Sequence, residues 1–327
     1  MSGAPRLTPA YDVLNVEGDL DYGINWPWRR GELTPGTTVV LRVKNEARSL
    51  PWVLPGLFRA TQAVVLVDNG SDDGTPDVAR EVAESLGMSD RLLVKEYPFR
   101  VSRCGPEHLY TDADSVHSLT WFYNWSFTHV RTSYSMKWDG DMVLTEDGEK
   151  LLGDLSWQLP GKDVVLYVPR HSLYVASDSL AYLDLGLHNA EPFGYPMGEE
   201  YKHVKAFEWE LRVYPDRARG VRLPEGSSIE LKWLDSDEFA HWTDTDAFAT
   251  SYRTSRKRRE YQLFTDLQRG EWEGHEGLHR LEAPPGMHVV DYVTKVWLPR
   301  APRPLVKKKA VQRAPSAAPS SAAGGAS

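Results

Sequence analysis

The stretch Val67-Asp68-Asn69-Gly70-Ser71-Asp72-Asp73-Gly74-Thr75 decides the fold. It follows the purely apolar run 63–67 and precedes a segment with helical periodicity. About seventy residues further on, Trp138-Asp139-Gly140-Asp141 follows a second run that is typical of a strand. Two acidic loops, each at the end of a strand, predict an open α/β sheet that binds its ligand at the carboxyl edge.

Strands and helices alternate at least three times over residues 1–145. The sequence predicts strands at 37–43, 63–68, 92–97 and up to Asp139, and helices at 49–60, 75–87 and 113–130, with Thr75 as an N-cap and 98–112 as a loop. This alternation predicts a mostly parallel sheet, flanked by helices, with right-handed crossovers.

The rest of the chain does not show this regular alternation of strands and helices. After residue 145 a short helix, strands at 164–168 and 172–176 and a mixed region continue the main domain, 37–245. We expect residues 1–36 to form an irregular N-terminal arm. We expect residues 246–300 to form a C-terminal helical extension that contains a basic helix. The Pro/Ala/Ser/Gly composition of 301–327 cannot bury a core, which predicts a disordered basic tail.

Bulk composition excludes several classes of protein. The 327 residues carry 38 Lys and Arg against 46 Asp and Glu, and the net charge of −8 disfavours nucleic-acid binding by the body of the protein. Cys104 is the single cysteine, which excludes an internal disulfide and favours a reducing compartment. No apolar run approaches the roughly 20 residues of a membrane span, so we expect a cytoplasmic protein without stable membrane insertion.

The motifs resemble family 2 glycosyltransferases of the GT-A fold, in the variant whose first strand ends in Lys-Asn-Glu. The resemblance is carried by Val43-Lys44-Asn45-Glu46, by 67–75, by Asn124 within a helix, and by Asp139-Gly140-Asp141. It covers 37–145 well and 146–245 weakly, which makes these the donor half and the acceptor half of a catalytic domain.

The resemblance implies transfer of a sugar from a UDP-, GDP- or dTDP-sugar donor, usually with inversion, helped by Mn²⁺ or Mg²⁺. A divalent cation neutralises the charge of the leaving nucleoside diphosphate, and carboxylates supply the hard oxygen ligands that it prefers. By motif position, Asp139 and Asp141 would bind the metal. The donor would be held by Asn45, Glu46, Asp68, Asn69, Ser71, Asp73, Asn124 and Asp139.

The chain departs from the family pattern in two places. Many relatives have Asp-Asp where this chain has Asp68-Asn69, and the family often has a basic residue before the helix asparagine, where this chain has Tyr123. Neutralisation of the donor phosphates would then fall to the metal or to Arg100, Arg103 or Arg131.

An inverting transfer needs a carboxylate base on the acceptor side. The segment Phe207-Glu208-Trp209-Glu210-Leu211-Arg212 resembles that part of the family, with Glu208 as the first candidate and Glu210 as the second. On a strand both would share one face, whereas a helix would separate them. His241 resembles a histidine that contacts metal or pyrophosphate in some relatives, or it is a structural histidine.

Three other functions stay open. His275-Glu276-Gly277-Leu278-His279 matches the zinc metalloprotease pattern, but the surrounding glycines oppose the helix that this motif needs. A nucleotidyltransferase would share the sheet and the acidic site but should have a Gly-rich phosphate loop, which the chain lacks. A non-catalytic nucleotide-sugar-binding protein would keep Asp68 without needing the second acidic loop. For a transferase, a glycan, a protein or a modified nucleobase is a conceivable acceptor.

Overall fold

The computed structural model describes residues 11–186, 189–236, 239 and 255–302. In these residues the strands are β1 (Thr34–Val43), β2 (Ala63–Asp68), β3 (Leu92–Glu96), β4 (Thr132–Asp139), β5 (Met142–Leu144), β6 (Val164–Val175), β7 (Leu180–Asp184), β8 (Asn189–Pro196), β9 (His203–Lys205), β10 (Glu210–Arg212), β11 (Arg219–Arg222), β12 (Ser228–Trp233) and β13 (Leu278–Glu282). The helices are α1 (Leu50–Ala60), α2 (Thr75–Ser85), α3 (Pro106–Tyr110), α4 (Leu119–Phe127), α5 (Glu146–Gln158), α6 (Ser255–Gln268), α7 (Val289–Asp291) and α8 (Leu298–Arg300).

The first half of the sheet is parallel, as predicted. β1 lies between β2 and β4, and β3 flanks β2, with all three pairings parallel. Alternate residues of β1 enter two cores: Val39, Leu41 and Val43 pack with α1, α2 and α5, whereas Val40 faces the core that contains α4. Because both faces are covered, these strands are nearly continuous apolar runs. The predicted α/β architecture, a sheet flanked by helices, is confirmed.

The second half mixes parallel and antiparallel pairings. β8 runs antiparallel between β4 and β6, whereas β11 and β12 pair in parallel with β6. The strands predicted at 164–168 and 172–176 are one continuous strand, β6. Residues 169–171 between them belong to the same strand: Arg170 is buried and its Nε donates to Glu230 on β12, so the strand continues.

Helix boundaries differ from the prediction where capping decides them. The helix predicted from 113 begins at Leu119, because the Ser118 hydroxyl accepts from the Thr120 N–H and caps the helix. Gly74, not Thr75, is the N-cap of α2; the Thr75 hydroxyl accepts instead from the Glu46 N–H. The stretch 98–112 is not all loop, since it contains α3.

The C-terminal extension is only partly helical. After α6 the chain forms β13, which pairs antiparallel with β7 and so joins the main sheet. This excludes the protease geometry, because His279 lies on β13 and His275 precedes it in a turn region, so the two histidines do not share a helix face. The zinc metalloprotease hypothesis is therefore wrong. No helix among the described residues is long and apolar enough to cross a membrane.

The start of α5 packs directly on the turn before β12. The Thr145 hydroxyl caps α5 at the Gly148 N–H and donates to the Gly226 carbonyl. A Cβ on Gly148 would lie 1.9 Å from the Ser227 carbonyl oxygen, whereas the nearest atom to a Cβ on Gly153 of the same helix would be 3.9 Å away.

We expect Gly148→Ala to lower the free energy of unfolding by about 1–3 kcal/mol or more, because the methyl group forces α5 away from Ser227. Urea unfolding would measure this change. Gly153→Ala is the matched control and should leave stability equal or slightly raised, since alanine is the better helix former. Equal stability of the Gly148 variant and the wild type would contradict this packing.

Candidate active site

A cavity of about 610 Å³ lies at the carboxyl ends of β1 and β4. Its volume is in the range of small-molecule sites. Its wall includes Asp139 on β4, Glu230 on β12 and Lys257 on α6, so distant parts of the chain contribute to it. The cavity therefore occupies the edge at which an open α/β sheet binds ligands.

Asn45 links the loop after β1 to the acidic loop after β2. Asn45 has a φ of 58°, in the left-handed region that asparagine tolerates better than most residues. Its N–H donates to the Ser71 hydroxyl at 2.8 Å, and its side-chain oxygen accepts from the Asp72 N–H at 3.0 Å. Nearby, the Asp73 carboxylate accepts from the Ala47 N–H at 3.0 Å. Ser71 and Asp73 thus shape the loop that carries Asn45 and Glu46.

Asp68 and Asn69 are buried and hold the acidic loop rather than line the cavity. Asp68 Oδ2 accepts from the N–H groups of Gly70 and Ser71, and the Asn69 amide donates to the carbonyls of Tyr97 and Phe99. Asp68 Oδ1 is buried with no hydrogen-bond partner among the described residues.

Asn124 also stabilises the structure and does not line the cavity. Its amide donates to the His203 carbonyl and accepts from the His203 N–H, both at 2.9 Å. This pair of bonds fixes the ribbon of β9 and β10 to α4.

The two aspartates of the second acidic loop both line the cavity but have different surroundings. Asp139 ends β4 in register with Arg42 of β1; its side chain is 36% exposed and lies 3.7 Å from Arg42 and 3.8 Å from Arg170. Asp141 is buried, and its Oδ2 lies 2.6 Å from Lys232 Nζ. Gly140 between them fits against the first loop, since a Cβ there would lie 2.6 Å from Glu46 Cγ.

These two carboxylates are a donor set that fits a hard divalent cation. No group of three or more His, Cys, Asp or Glu side chains suited to a metal occurs among the described residues. A cation at Asp139 and Asp141 would take its other ligands from water and phosphate, which is how Mg²⁺ is commonly held. Lys232 already engages Asp141, so the ammonium and the cation would compete for that carboxylate. His241, the predicted third contact, lies outside the described residues.

A buried charge network joins this loop to β6 and β12. Lys232 Nζ also lies 2.9 Å from Glu230, and Arg170 Nε donates to Glu230 at 2.8 Å. Burial opposes ionisation of Glu230, but the charges of Arg170 and Lys232 outweigh it and hold the pKa of this carboxyl well below its usual range.

The sequence interpretation missed the cations of the cavity. Arg100 and Arg103 pair with Glu107, and Arg131 lies 3.4 Å from Glu32; none of the three lines the cavity. The cavity cations of β1, β4, β6 and β12 are Arg42, Lys137, Arg170 and Lys232. A signal existed, because each is a polar residue within a strand whose adjacent residues are mostly apolar.

Arg42 lies beside Tyr123, the position at which this chain lacks the basic residue expected from the sequence resemblance. Its guanidinium carbon lies 3.5 Å from the centre of the Tyr123 ring. Arg42 alternates with Leu41 and Val43 on β1 and therefore faces α4 instead of the core on the other side. A positive charge thus lies against the residue before Asn124, and it is supplied by β1 rather than by α4.

The two candidate bases are separated by the local structure. Glu210 begins β10 and lines the cavity, as does Trp209. Glu208 precedes the strand, is buried, and does not line the cavity; its carbonyl accepts from the Gly105 N–H. Strand alternation does not reach Glu208, so the two carboxylates do not share a strand face.

We expect the free energy of unfolding to fall as pH falls below about 4.5, in part through Glu230. Its folded-state pKa lies below its unfolded-state value, so the unfolded state binds the proton first. The contribution is complete above the unfolded pKa and disappears as pH falls through the folded pKa. Glu230→Gln should lose about 3–5 kcal/mol at pH 7 and show a shallower decline in urea unfolding from pH 7 to pH 3.

The exposed Glu282, on β13, provides a control for this measurement. Glu282→Gln should keep the wild-type pH dependence of stability. A Glu230→Gln variant with the wild-type slope would show that Glu230 has no depressed pKa in the folded protein.

Comparisons with known proteins give remote structural similarity only. No family model and no curated protein matches the chain. It is similar to the mannosyltransferase PcManGT from Pyrobaculum calidifontis in complex with GDP-Man and Mn²⁺, with 22% identity over 53% of this chain and 40% of that chain and a TM-score of 0.29. It is also similar to glucosyl-3-phosphoglycerate synthase from Mycobacterium tuberculosis in complex with Mn²⁺, UDP and phosphoglyceric acid, with 16% identity over 43% of each chain and a TM-score of 0.27.

A further similarity is to S. aureus TarS 1-349, with 12% identity over 74% of this chain and 66% of that chain and a TM-score of 0.31. The chain spans less than half the length of the mannosyltransferase and of the synthase. TM-scores of this size carry no inference about activity, and the α/β fold rests on the sheet itself.

Proposed function

We propose that this chain is a GT-A glycosyltransferase of the family 2 type, which moves a sugar from a nucleotide-sugar donor to an acceptor hydroxyl. The observation that supports it is the convergence of three separate motifs on one cavity. Asn45 and Glu46 come from the loop after β1. Asp139 and Asp141 come from the end of β4 and the turn after it, and Glu210 comes from β10 in the acceptor half. A plain turn between strand and helix would not require this convergence.

The charges of the cavity suit a nucleoside diphosphate as leaving group. Asp139 and Asp141 would hold Mn²⁺ or Mg²⁺, which supplies neutralisation of the charge that develops on the diphosphate. Arg42, above Tyr123, supplies a fixed positive charge beside Asp139. Asp68 does not line the cavity, so in this proposal it holds the loop after β2 and does not contact the donor directly.

Glu210 is the carboxylate that fits a base for the acceptor hydroxyl. It belongs to the acceptor half and lines the same cavity as Asp139. A base must lie within hydrogen-bond reach of the hydroxyl whose proton it removes, which favours Glu210 over Glu208. We propose inversion, because a base opposite the leaving group supports a single displacement.

The donor class follows from calorimetric titration of UDP, GDP and dTDP, each with and without Mn²⁺. We expect one nucleotide to bind the wild type, and to bind it more tightly with Mn²⁺. Asp139→Asn combined with Asp141→Asn should lose this metal-dependent gain, because both proposed oxygen ligands are weakened.

The control for this titration is Asp77→Asn, on the exposed face of α2, which should behave as wild type. Circular dichroism would confirm that each variant is folded. Absence of nucleotide binding under every condition would overturn the proposed function, and a metal-dependent gain that survives the double substitution would overturn the assignment of the metal ligands.

Glu210→Gln and Glu208→Gln form a matched pair for the base. We expect Glu210→Gln to lower kcat by about 100- to 10,000-fold, the usual contribution of a general base, with unchanged nucleotide affinity. Glu208→Gln should retain most of the activity. Release of nucleoside diphosphate from the donor identified above, with candidate acceptors present, would measure the rate. Greater loss in Glu208→Gln than in Glu210→Gln would reverse the assignment.

A further inference from the structure

Arg212 is buried, and its guanidinium group has one nitrogen without a hydrogen-bond partner among the described residues. Its Nε donates to the Tyr201 carbonyl at 2.6 Å and its Nη2 to the Ser135 hydroxyl at 3.1 Å. Its guanidinium carbon lies 4.4 Å from the centre of the Phe127 ring and 4.3 Å from the centre of the Tyr195 ring. Nη1 has no hydrogen-bond partner among the described residues, although Arg212 lines the cavity.

The charge of Arg212 is poorly compensated by the protein. Burial has the largest effect and lowers its pKa to about 10; the charge of Arg42 acts in the same direction, whereas Tyr195, Tyr134 and Tyr201 oppose it, and the group stays protonated at neutral pH. None of these groups is a carboxylate. The two ring faces offset part of the desolvation cost, but a buried cation ordinarily has an anionic partner.

His203 presents a second unpartnered donor to the same cavity. Its side chain is buried, its Nε2 has no partner among the described residues, and its ring packs on Tyr123 and Phe127. Burial, and then the positive charges of Arg212, Arg42 and Lys137, hold its pKa well below the usual value. The neutral ring can donate one hydrogen bond from Nε2.

We propose that Arg212 and His203 form an anion subsite that binds a phosphate or carboxylate group of the acceptor. The identity of the ligand as an acceptor rests on the proposed function, whereas the anion site does not. A purely structural role, which links β10 to the Tyr201 carbonyl and to Ser135 on β4, accounts for Nε and Nη2 of Arg212. It does not account for the free Nη1 or for the neighbouring Nε2 of His203.

The subsite is distinct from the proposed donor site. Ser135, which Arg212 contacts, precedes Asp139 by four residues on β4, a separation of roughly 13 Å along a strand. A diphosphate held at Asp139 would leave the subsite open. Arg212 follows Glu210 by two residues on β10, about 7 Å along the strand and on the same face. An acceptor anchored at Arg212 would thus place a nearby hydroxyl at the proposed base.

Titration with inorganic phosphate tests this inference. Wild type should bind phosphate, both alone and with saturating nucleoside diphosphate and Mn²⁺. Arg212→Met should weaken phosphate binding about tenfold or more, because it removes a charged hydrogen-bond donor. His203→Phe, which keeps the ring packing, should weaken it less but measurably, and Arg212→Lys should retain part of it.

Arg217→Met is the matched control, because Arg217 is exposed and pairs with Asp163 and Glu200 outside the cavity. It should bind phosphate as wild type does. If Arg212→Met does not fold, His203→Phe carries the test. Phosphate affinity unchanged in both cavity variants, or phosphate displaced one-for-one by the nucleoside diphosphate, would overturn the acceptor subsite. Phosphate binding without any nucleotide binding would overturn the glycosyltransferase proposal and leave the anion site standing.

Discussion

The ammonium group of Lys232 is the contact on which the arrangement of the cavity depends. It lies between Asp141, in the turn after β4, and Glu230 on β12. Two buried carboxylates that both contact one ammonium group are close enough to repel each other strongly in a medium of low dielectric constant. With Lys232 between them and Arg170 also bound to Glu230, these ion pairs attach the turn after β4 to β6 and β12.

The same arrangement explains why one face of the sheet can be both polar and buried. On β4 the residues Tyr134, Met136 and Trp138 enter the apolar core, and the alternate residues Lys137 and Asp139 face the cavity. β12 repeats this pattern with Glu230 and Lys232. Acids and bases from neighbouring strands then lie side by side, so each charge is largely compensated by the protein.

Arg212 and His203 are the exception to this compensation. Both are buried on the cavity wall with an unpaired donor atom. Arg42 and Arg170 also have an unpaired Nη1, but each of them lies within 4 Å of a carboxylate, whereas no carboxylate pairs with Arg212 among the described residues. Uncompensated donors are retained at a cost in stability, and a ligand that carries an oxyanion would remove that cost. The proposed base, Glu210, lies on the same short strand, so binding and chemistry would share one element.

The sequence by itself determined the parallel half of the sheet, the two acidic loops and their common edge, because strand periodicity and glycine-rich turns are local properties. It could not determine that the side chains of Asn124 and Asp68 form hydrogen bonds with backbone groups. Nor could it determine that Glu210 and not Glu208 faces the cavity, or that β13 joins the sheet. Nor could it select Arg42, Arg170 and Lys232 over Arg100, Arg103 and Arg131 as the cavity cations. Those outcomes depend on the pairing of strands that are distant in the chain, and only the tertiary structure fixes which side chains meet.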